Sequence, residues 1–139
     1  ADKALLDLEA AGDWLAHEIR LYVQRTLKRL DLSARSIFAI IKQGSCFAGS
    51  LFELAIAADR SYMLDDDDAG ARIGLGPMNF GPLKMSNGLT RLETRFLGQP
   101  GVPGELFGVS ELMDAGAARK RGLVTLTPDA MDWVLVARI

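Results

Sequence analysis

Apolar residues recur at helical spacing near the start of the chain. Leu8, Leu15, Ile19, Val23 and Leu27 follow at intervals of seven or four, with Leu5, Tyr22 and Leu30 beside them. Such a stripe marks the buried face of an amphipathic helix. Glu18, Arg20, Gln24, Arg25 and Lys28 fall on its other faces. Gly12-Asp13 interrupts the pattern, and Asp13 suits the N-cap of a second start. The helix is expected to stop near residues 31–33. Residues 37–41, Ile-Phe-Ala-Ile-Ile, form an unbroken apolar run rich in β-branched side chains. That composition predicts a strand buried on both faces, as in a sheet flanked by helices.

A loop of small residues follows over 43–50. Residues 51–58 read as a short buried helix with Glu53 as its only charge, and 60–64 as a second strand. Four adjacent aspartates at 65–68 repel one another, so 65–70 is expected to be a solvated loop. Residues 73–75 predict a third short strand. The stretch 76–88 is dense in Gly, Pro, Asn and Ser, hence irregular. Its Met78, Phe80, Leu83 and Met85 favour a packed loop lining a pocket. Residues 89–97 predict a helix stopped by Gly98, and 99–108 a flexible Pro/Gly-rich stretch. Residues 110–121 predict a helix capped by Ser110 and ended at Gly122. A strand at 123–126 and a helix opened by Thr127-Pro128 complete the chain. Strands alternating with helices indicate an α/β fold with mostly parallel short strands and flanking helices. Residues 51–58 are placed to make the crossover between the first two.

Composition narrows the function classes. The 139 residues carry a net charge of -2, with 49% hydrophobic and 24% charged side chains. One compact domain is expected. The charge balance lacks the basic footprint of a nucleic-acid binder. Arg119-Lys120-Arg121 is the one basic cluster, and cations at a helix end suit its dipole. No apolar run is long enough to span a bilayer. The N-terminus has no signal-peptide pattern, so the expected location is cytoplasmic. The single cysteine, Cys46, rules out an internal disulfide and a Cys-rich metal site. The aspartate run lacks the alternation and closing Glu of a calcium loop. No metal is expected.

The segment that bears chemistry is strand, glycine turn, helix over residues 37–59. A helix start exposes unpaired N–H groups and a partial positive charge. Small residues at Ala48, Gly49 and Ser50 let a ligand oxygen reach the backbone, which suits a phosphate or an oxyanion. The Gly-Lys-Ser/Thr ending of a phosphate loop is absent, as is a Gly-x-Ser-x-Gly elbow.

The run GSCFAGSLFELAIAAD at 44–59 resembles the signature of the crotonase (enoyl-CoA hydratase/isomerase) superfamily. Gly98 and residues 115–124, ending in Gly-Leu-Val, also fit. Within the superfamily the resemblance is strongest to the benzoyl-CoA-dihydrodiol lyase branch, through 27–31, 44–49, 57–64, 78–81 and 85–92. It implies a partial crotonase-like ββα spiral fold over 1–139. The upstream half with its oxyanion loop and the C-terminal helical region are expected to lie outside this chain.

The resemblance implies a thioester carbonyl held between two backbone N–H donors, one of them at Gly49 or Ser50. Glu53 matches a catalytic glutamate, a general acid or base about one turn from that donor. Cys46, Phe47, Asn79, Phe80, Asn87 and Gly88 are candidate pocket residues. The implied reaction is opening of 2,3-epoxybenzoyl-CoA with water to a semialdehyde CoA ester and formate. The implied ligand is an acyl-CoA thioester, with coenzyme A as part of the substrate, no separate cofactor, and a homo-oligomeric assembly. A second acid is expected where this chain has Pro77, which cannot exchange a proton. That departure supports an alternative: a non-catalytic relative that binds CoA esters or serves assembly.

Each residue also has a plainer reading. Glu53 would be a charge on a partly exposed helix face, although its apolar neighbours would raise its pKa on burial. A Cys46 nucleophile needs a base. The only histidine, His17, is expected on a helix surface, leaving Cys46 a small residue packed beside the pocket. Asn87-Gly88 would form a turn.

Overall fold

The computed structural model describes residues 1–66 and 70–136. Helices α1 (Asp2–Ala10) and α2 (Trp14–Asp31) meet at the expected break. Asp13 caps α2, its Oδ1 accepting from the Ala16 N–H at 2.8 Å. The apolar stripe is only partly covered. Leu27 is buried and Leu5, Val23 and Leu30 are half-buried, whereas Leu8, Leu15, Ile19 and Tyr22 are exposed. The helices pack through one edge of the stripe, and the rest faces outward.

Strand β1 (Phe38–Ile41), helix α3 (Phe52–Ala57) and strand β2 (Arg60–Met63) form a β–α–β unit. The strands are parallel, with Phe38 opposite Arg60 and Ile41 opposite Met63. A 3₁₀ turn, Gly49–Leu51, leads into α3. The α/β expectation and the crossover through α3 therefore hold. The expectation that β1 is buried on both faces does not: Ala39 and Ile41 are buried, while Phe38 and Ile40 are exposed. Neighbouring β2 is covered on both faces, with Ser61, Tyr62 and Met63 all buried, so the outward face is open only along β1.

Residues 73–75 and 123–126 were expected as strands but form isolated bridges. Ile73 pairs with Met113, Gly74 with Ala48, and Leu126 with Tyr62. A second 3₁₀ turn, Pro77–Phe80, lies in the irregular stretch, and its Met78 and Asn79 are buried. Helix α4 (Arg91–Arg95) is shorter than expected because Thr90 and Glu93 form a reciprocal capping box at its start. Residues 99–108 depart most: 102–107 is helical, as α5 (Val102–Phe107). Pro103 is tolerated in a first turn, and Leu106 supplies a buried anchor. The next helix, α6 (Ala115–Lys120), begins five residues after Ser110, capped instead by Asp114. Residue 113 is tied to Ile73 by two backbone hydrogen bonds, which keeps 110–114 out of the helix. Helix α7 (Ala130–Val136) is capped by Asp129, not Thr127, through the N–H groups of Met131 and Asp132. In the acidic run, Asp65 is exposed and bridges to Asp129, while Asp67 and Asp68 lie outside the described residues.

The main core gathers Ile41, Phe52, Met63, Ile73, Leu92, Leu106 and Leu123 between the β–α–β unit and the later helices. A smaller cluster of Leu27, Met78 and Leu83 holds α2 against the 76–88 stretch. Phe52 is fully buried and Leu97 is 70% exposed. In urea unfolding, Phe52→Ala is expected to lose about 3–5 kcal/mol. Leu97→Ala is expected to stay within about 0.5 kcal/mol of the parent chain. Equal losses would contradict this assignment of the core.

Candidate active site

Gly49 opens the turn with φ +55°, a conformation that favours glycine. A Cβ there would also press on the Asp2 carboxylate, the movable end of a side chain, so the backbone conformation is the stronger constraint. The Gly49 N–H donates to the Gly74 carbonyl at 3.0 Å, continuing the Ala48–Gly74 bridge. Of the two candidate donors, Gly49 is therefore already engaged within the backbone. The Ser50 N–H points elsewhere and donates to Asp2 Oδ2 at 2.6 Å, while its Oγ donates to Asp2 Oδ1 at 2.8 Å. Asp2 was not a sequence candidate. Nothing local singles out an acid on the first turn of a distant helix.

Glu53 lies one turn further on and is 1% exposed. The plainer reading, a charge on a partly exposed face, is wrong. Its Oε1 accepts from Asn79 Nδ2 at 2.6 Å, and its Oε2 accepts from Arg91 Nη1 at 3.0 Å. Asn79 also donates to the Gly49 carbonyl at 2.9 Å and accepts from the Gly76 N–H at 2.8 Å. Those two bonds fix the amide's orientation. Arg91, 3% exposed, forks onto Asp31 at the end of α2, with Nη2 at 2.8 and 2.9 Å from the two carboxylate oxygens. Asn79 was a candidate; Arg91 and Asp31 were not assigned a role. Arg91 sits between apolar Leu89 and Leu92, which is weak warning of burial, and Asp31 looks like a helix-end residue.

Burial pushes the Glu53 carboxyl above its ordinary value of 4.5, opposed by the hydrogen bonds from Asn79 and Arg91. Both neighbours donate, so the local geometry favours the carboxylate, while the dry surroundings favour the acid. A carboxyl held in that balance keeps its proton to higher pH than an exposed glutamate.

The other candidates are dispersed. Phe47 is half-buried and packs on the main core. Phe80 meets Phe107 edge-to-face at 5.1 Å. Cys46 is exposed, contrary to its expected packing beside a pocket. His17 is also exposed, as expected, and its Nδ1 lies 2.8 Å from Glu9 Oε1. The Asn87 side chain accepts from the Leu89 N–H, and Gly88 has φ +83°, so this pair makes a turn. Pro77 is exposed at the start of its 3₁₀ turn. Of the 76–88 stretch, Met85 lines a cleft of about 290 Å³ that reaches Asp31 and Arg91. Another cavity, about 580 Å³, lies away from Glu53, among Phe96, Val102, Leu106 and residues 119–121. Among the described residues, no group of three or more His, Cys, Asp or Glu is placed to hold a metal. No described helix is long and apolar enough to cross a membrane.

Removing one member of a buried ion network leaves an uncompensated charge. Arg91→Met is expected to lower stability by about 3–5 kcal/mol. A loss below about 1 kcal/mol in denaturant titration would show that the network is not formed. Glu53 also sets a pH signature. Its folded pKa is raised, so in that window the native state binds more protons than the unfolded chain, and stability falls as pH rises. The contribution is fully present below the unfolded carboxyl value and lost as pH climbs through the folded one. The stability of the parent chain relative to Glu53→Gln should therefore decline from acidic to neutral pH. A rising difference would reverse the sign.

No protein-family model matches the chain. The chain is 43% identical over 143 residues to the benzoyl-CoA-dihydrodiol lyase of Aromatoleum evansii, an alignment covering 99% of this chain. It spans about a quarter of that relative's length, 26%. In fold it is similar to the crystal structure of enoyl-CoA hydratase from Thermoplasma volcanium GSS1, with a TM-score of 0.61 and 23% identity. That match covers 88% of this chain and 47% of the hydratase. The likeness in sequence to benzoyl-CoA-dihydrodiol lyase thus runs along the whole chain, and the likeness in fold to enoyl-CoA hydratase over most of it.

Proposed function

We propose that this chain is part of a crotonase-type lyase or hydratase acting on a CoA ester. The observation that carries the reading is the Ser50 turn beside Glu53. Ser50 already holds an anionic oxygen at 2.6 Å through its backbone N–H. A thioester oxygen that gains negative charge during reaction would take the place of the Asp2 oxygen there. Glu53 starts on the following turn and supplies the acid or base. To act, it would have to exchange one of its two hydrogen bonds for the substrate. The similarity to benzoyl-CoA-dihydrodiol lyase supports an aromatic CoA ester, and we assign 2,3-epoxybenzoyl-CoA, opened with water to a semialdehyde CoA ester and formate.

A second reading follows from Pro77. It is exposed and has no proton to give at the position where the family resemblance calls for an acid. On that reading the chain binds CoA esters without turnover.

Formate release and equilibrium binding separate the two. Catalysis predicts formate from 2,3-epoxybenzoyl-CoA, with kcat reduced at least about 100-fold in Glu53→Gln. Binding of unreactive benzoyl-CoA should change by less than about threefold, because Glu53 would act on the reacting atoms and not on the CoA moiety. Binding without formate from the parent chain would establish the second reading. Absence of binding would overturn both.

A further inference from the structure

Among the described residues, three arginines are not exposed: Arg20, Arg91 and Arg95. Arg20 meets Glu9 at 2.7 Å, and Arg91 meets Asp31 at 2.8 Å. Arg95, the last residue of α4, meets no carboxylate among the described residues. Its Nε donates to the Gly122 carbonyl at 2.6 Å, which restrains the plane of the guanidinium. Its two terminal nitrogens have no hydrogen-bond partner among the described residues. Burial pushes the Arg95 pKa down, and no neighbouring carboxylate opposes it. The side chain lines the cleft of about 290 Å³ that Met85 also borders. Ile56, Ala57 and Met85 give this cleft apolar walls. Thr94 adds a hydroxyl bonded to the Met85 sulfur at 3.5 Å, a weak acceptor. Asp31 reaches the cleft too, but Arg91 takes both of its oxygens. Ile56 and Ala57 end α3, whereas Ser50 precedes its start. The six residues of α3 span about 9 Å, so the cleft is separate from the Ser50 turn.

We propose that this cleft binds a small organic monocarboxylate, held by the free edge of the Arg95 guanidinium with its hydrocarbon body against Ile56, Ala57 and Met85. With Nε engaged, the two terminal nitrogens present parallel N–H donors, a fork that matches the two oxygens of a carboxylate. The Thr94 hydroxyl gains a stronger acceptor by turning from sulfur to a ligand oxygen. A bound carboxylate gives Arg95 the counter-charge that Arg20 and Arg91 already have. One free guanidinium selects a monoanion. A phosphate dianion would bring a second charge against Asp31, with Arg91 already engaged by two carboxylates. The volume lies at the small end of ligand pockets, which suits a body of a few carbons. The inference does not depend on the catalytic reading.

Hexanoate and its neutral amide test it. Titration of the 139-residue chain with hexanoate, followed by two-dimensional proton–nitrogen NMR, should move the Arg95 Nε–H signal and the backbone amides of Thr94 and Met85. The expected dissociation constant is on the order of 1 mM. Hexanamide has the same body without the charge and should bind at least about tenfold more weakly. Arg95→Lys keeps a cation but loses the fork, and should weaken hexanoate about fivefold or more. Ala57→Leu fills the cleft from the α3 side and should weaken hexanoate about tenfold. Arg95 also bonds Gly122, so circular dichroism will verify that Arg95→Lys keeps its helices, while Ala57→Leu tests the site without removing that bond. Signals at Thr94, Met85 and Arg95 that stay unmoved at about 20 mM hexanoate would overturn the proposal. Hexanamide binding as tightly as hexanoate would overturn it too, since the charge would then play no part. Hexanoate binding unchanged in both variants would place the ligand elsewhere and overturn it equally.

Discussion

The buried contact between Glu53 and Arg91 holds the site together. Arg91 bridges Glu53 on α3 to Asp31 at the end of α2, and itself begins α4. Three helices are thus tied through one guanidinium. Taking these charges out of water is costly, and the arrangement is tolerable only because each buried polar atom has a partner. Among the described residues, no buried side-chain nitrogen or oxygen lacks one. Asn79 extends the network to the backbone of Gly49 and Gly76. The turn that presents Ser50 therefore inherits its position from the same charges. A change at Arg91 would move a helix end, a carboxyl and a turn together, so its effects on stability and on the site cannot be expected to be additive.

Local pattern made the β–α–β unit legible. The apolar run at 37–41, the small residues before 51 and the buried helix after it all specify the same crossover. Asp13 was readable as a cap because Gly12 breaks the helix just before it. The misplaced elements share a different cause. Ser110 is a plausible cap in isolation, but Met113 pairs with Ile73 across 40 positions of sequence, and the helix begins only after that pair. The Pro/Gly-rich stretch at 99–108 looks flexible until Leu106 finds the core. The alternation of exposed Phe38 with buried Ala39 is likewise invisible in a run where every residue is apolar. In each case tertiary contact overrode a local preference.

The site shows the same division. Glu53 was visible as the one acid in an apolar helix, and Asn79 lay within a recognisable match. Their partners were not visible. An arginine next to a leucine or an aspartate at a helix end has many innocent explanations, and only the fold brings Asp31, Glu53 and Arg91 together. The resemblance implies a donor at Gly49 or Ser50 without choosing between them. The Gly49 N–H is taken by the Gly74 carbonyl, while the Ser50 N–H meets the Asp2 carboxylate. Sequence can mark the turn, but which N–H faces outward depends on the rotation of a single peptide.

Ser50 and Glu53 differ in what limits their use. The Ser50 donors face the Asp2 carboxylate, an oxygen anion, so a ligand oxygen there would replace like with like. Exchange of one oxygen for another at an N–H preserves the hydrogen bond count; the cost is the loss of the two Asp2–Ser50 bonds, offset by water at Asp2, which is partly open already. Glu53 faces a harder exchange. Losing its bond to Asn79 would also release the amide that holds the Gly49 carbonyl, and losing its bond to Arg91 would leave Asp31 as the sole counter-charge of a buried guanidinium. The Asn79 side is the cheaper one to open, because it removes a neutral donor and keeps the ion pair intact. A substrate proton delivered from that side would also neutralise a carboxyl that burial already biases toward the acid. Under the proposed function, the face of Glu53 next to the Ser50 turn is thus the one along which proton transfer would disturb the fold least.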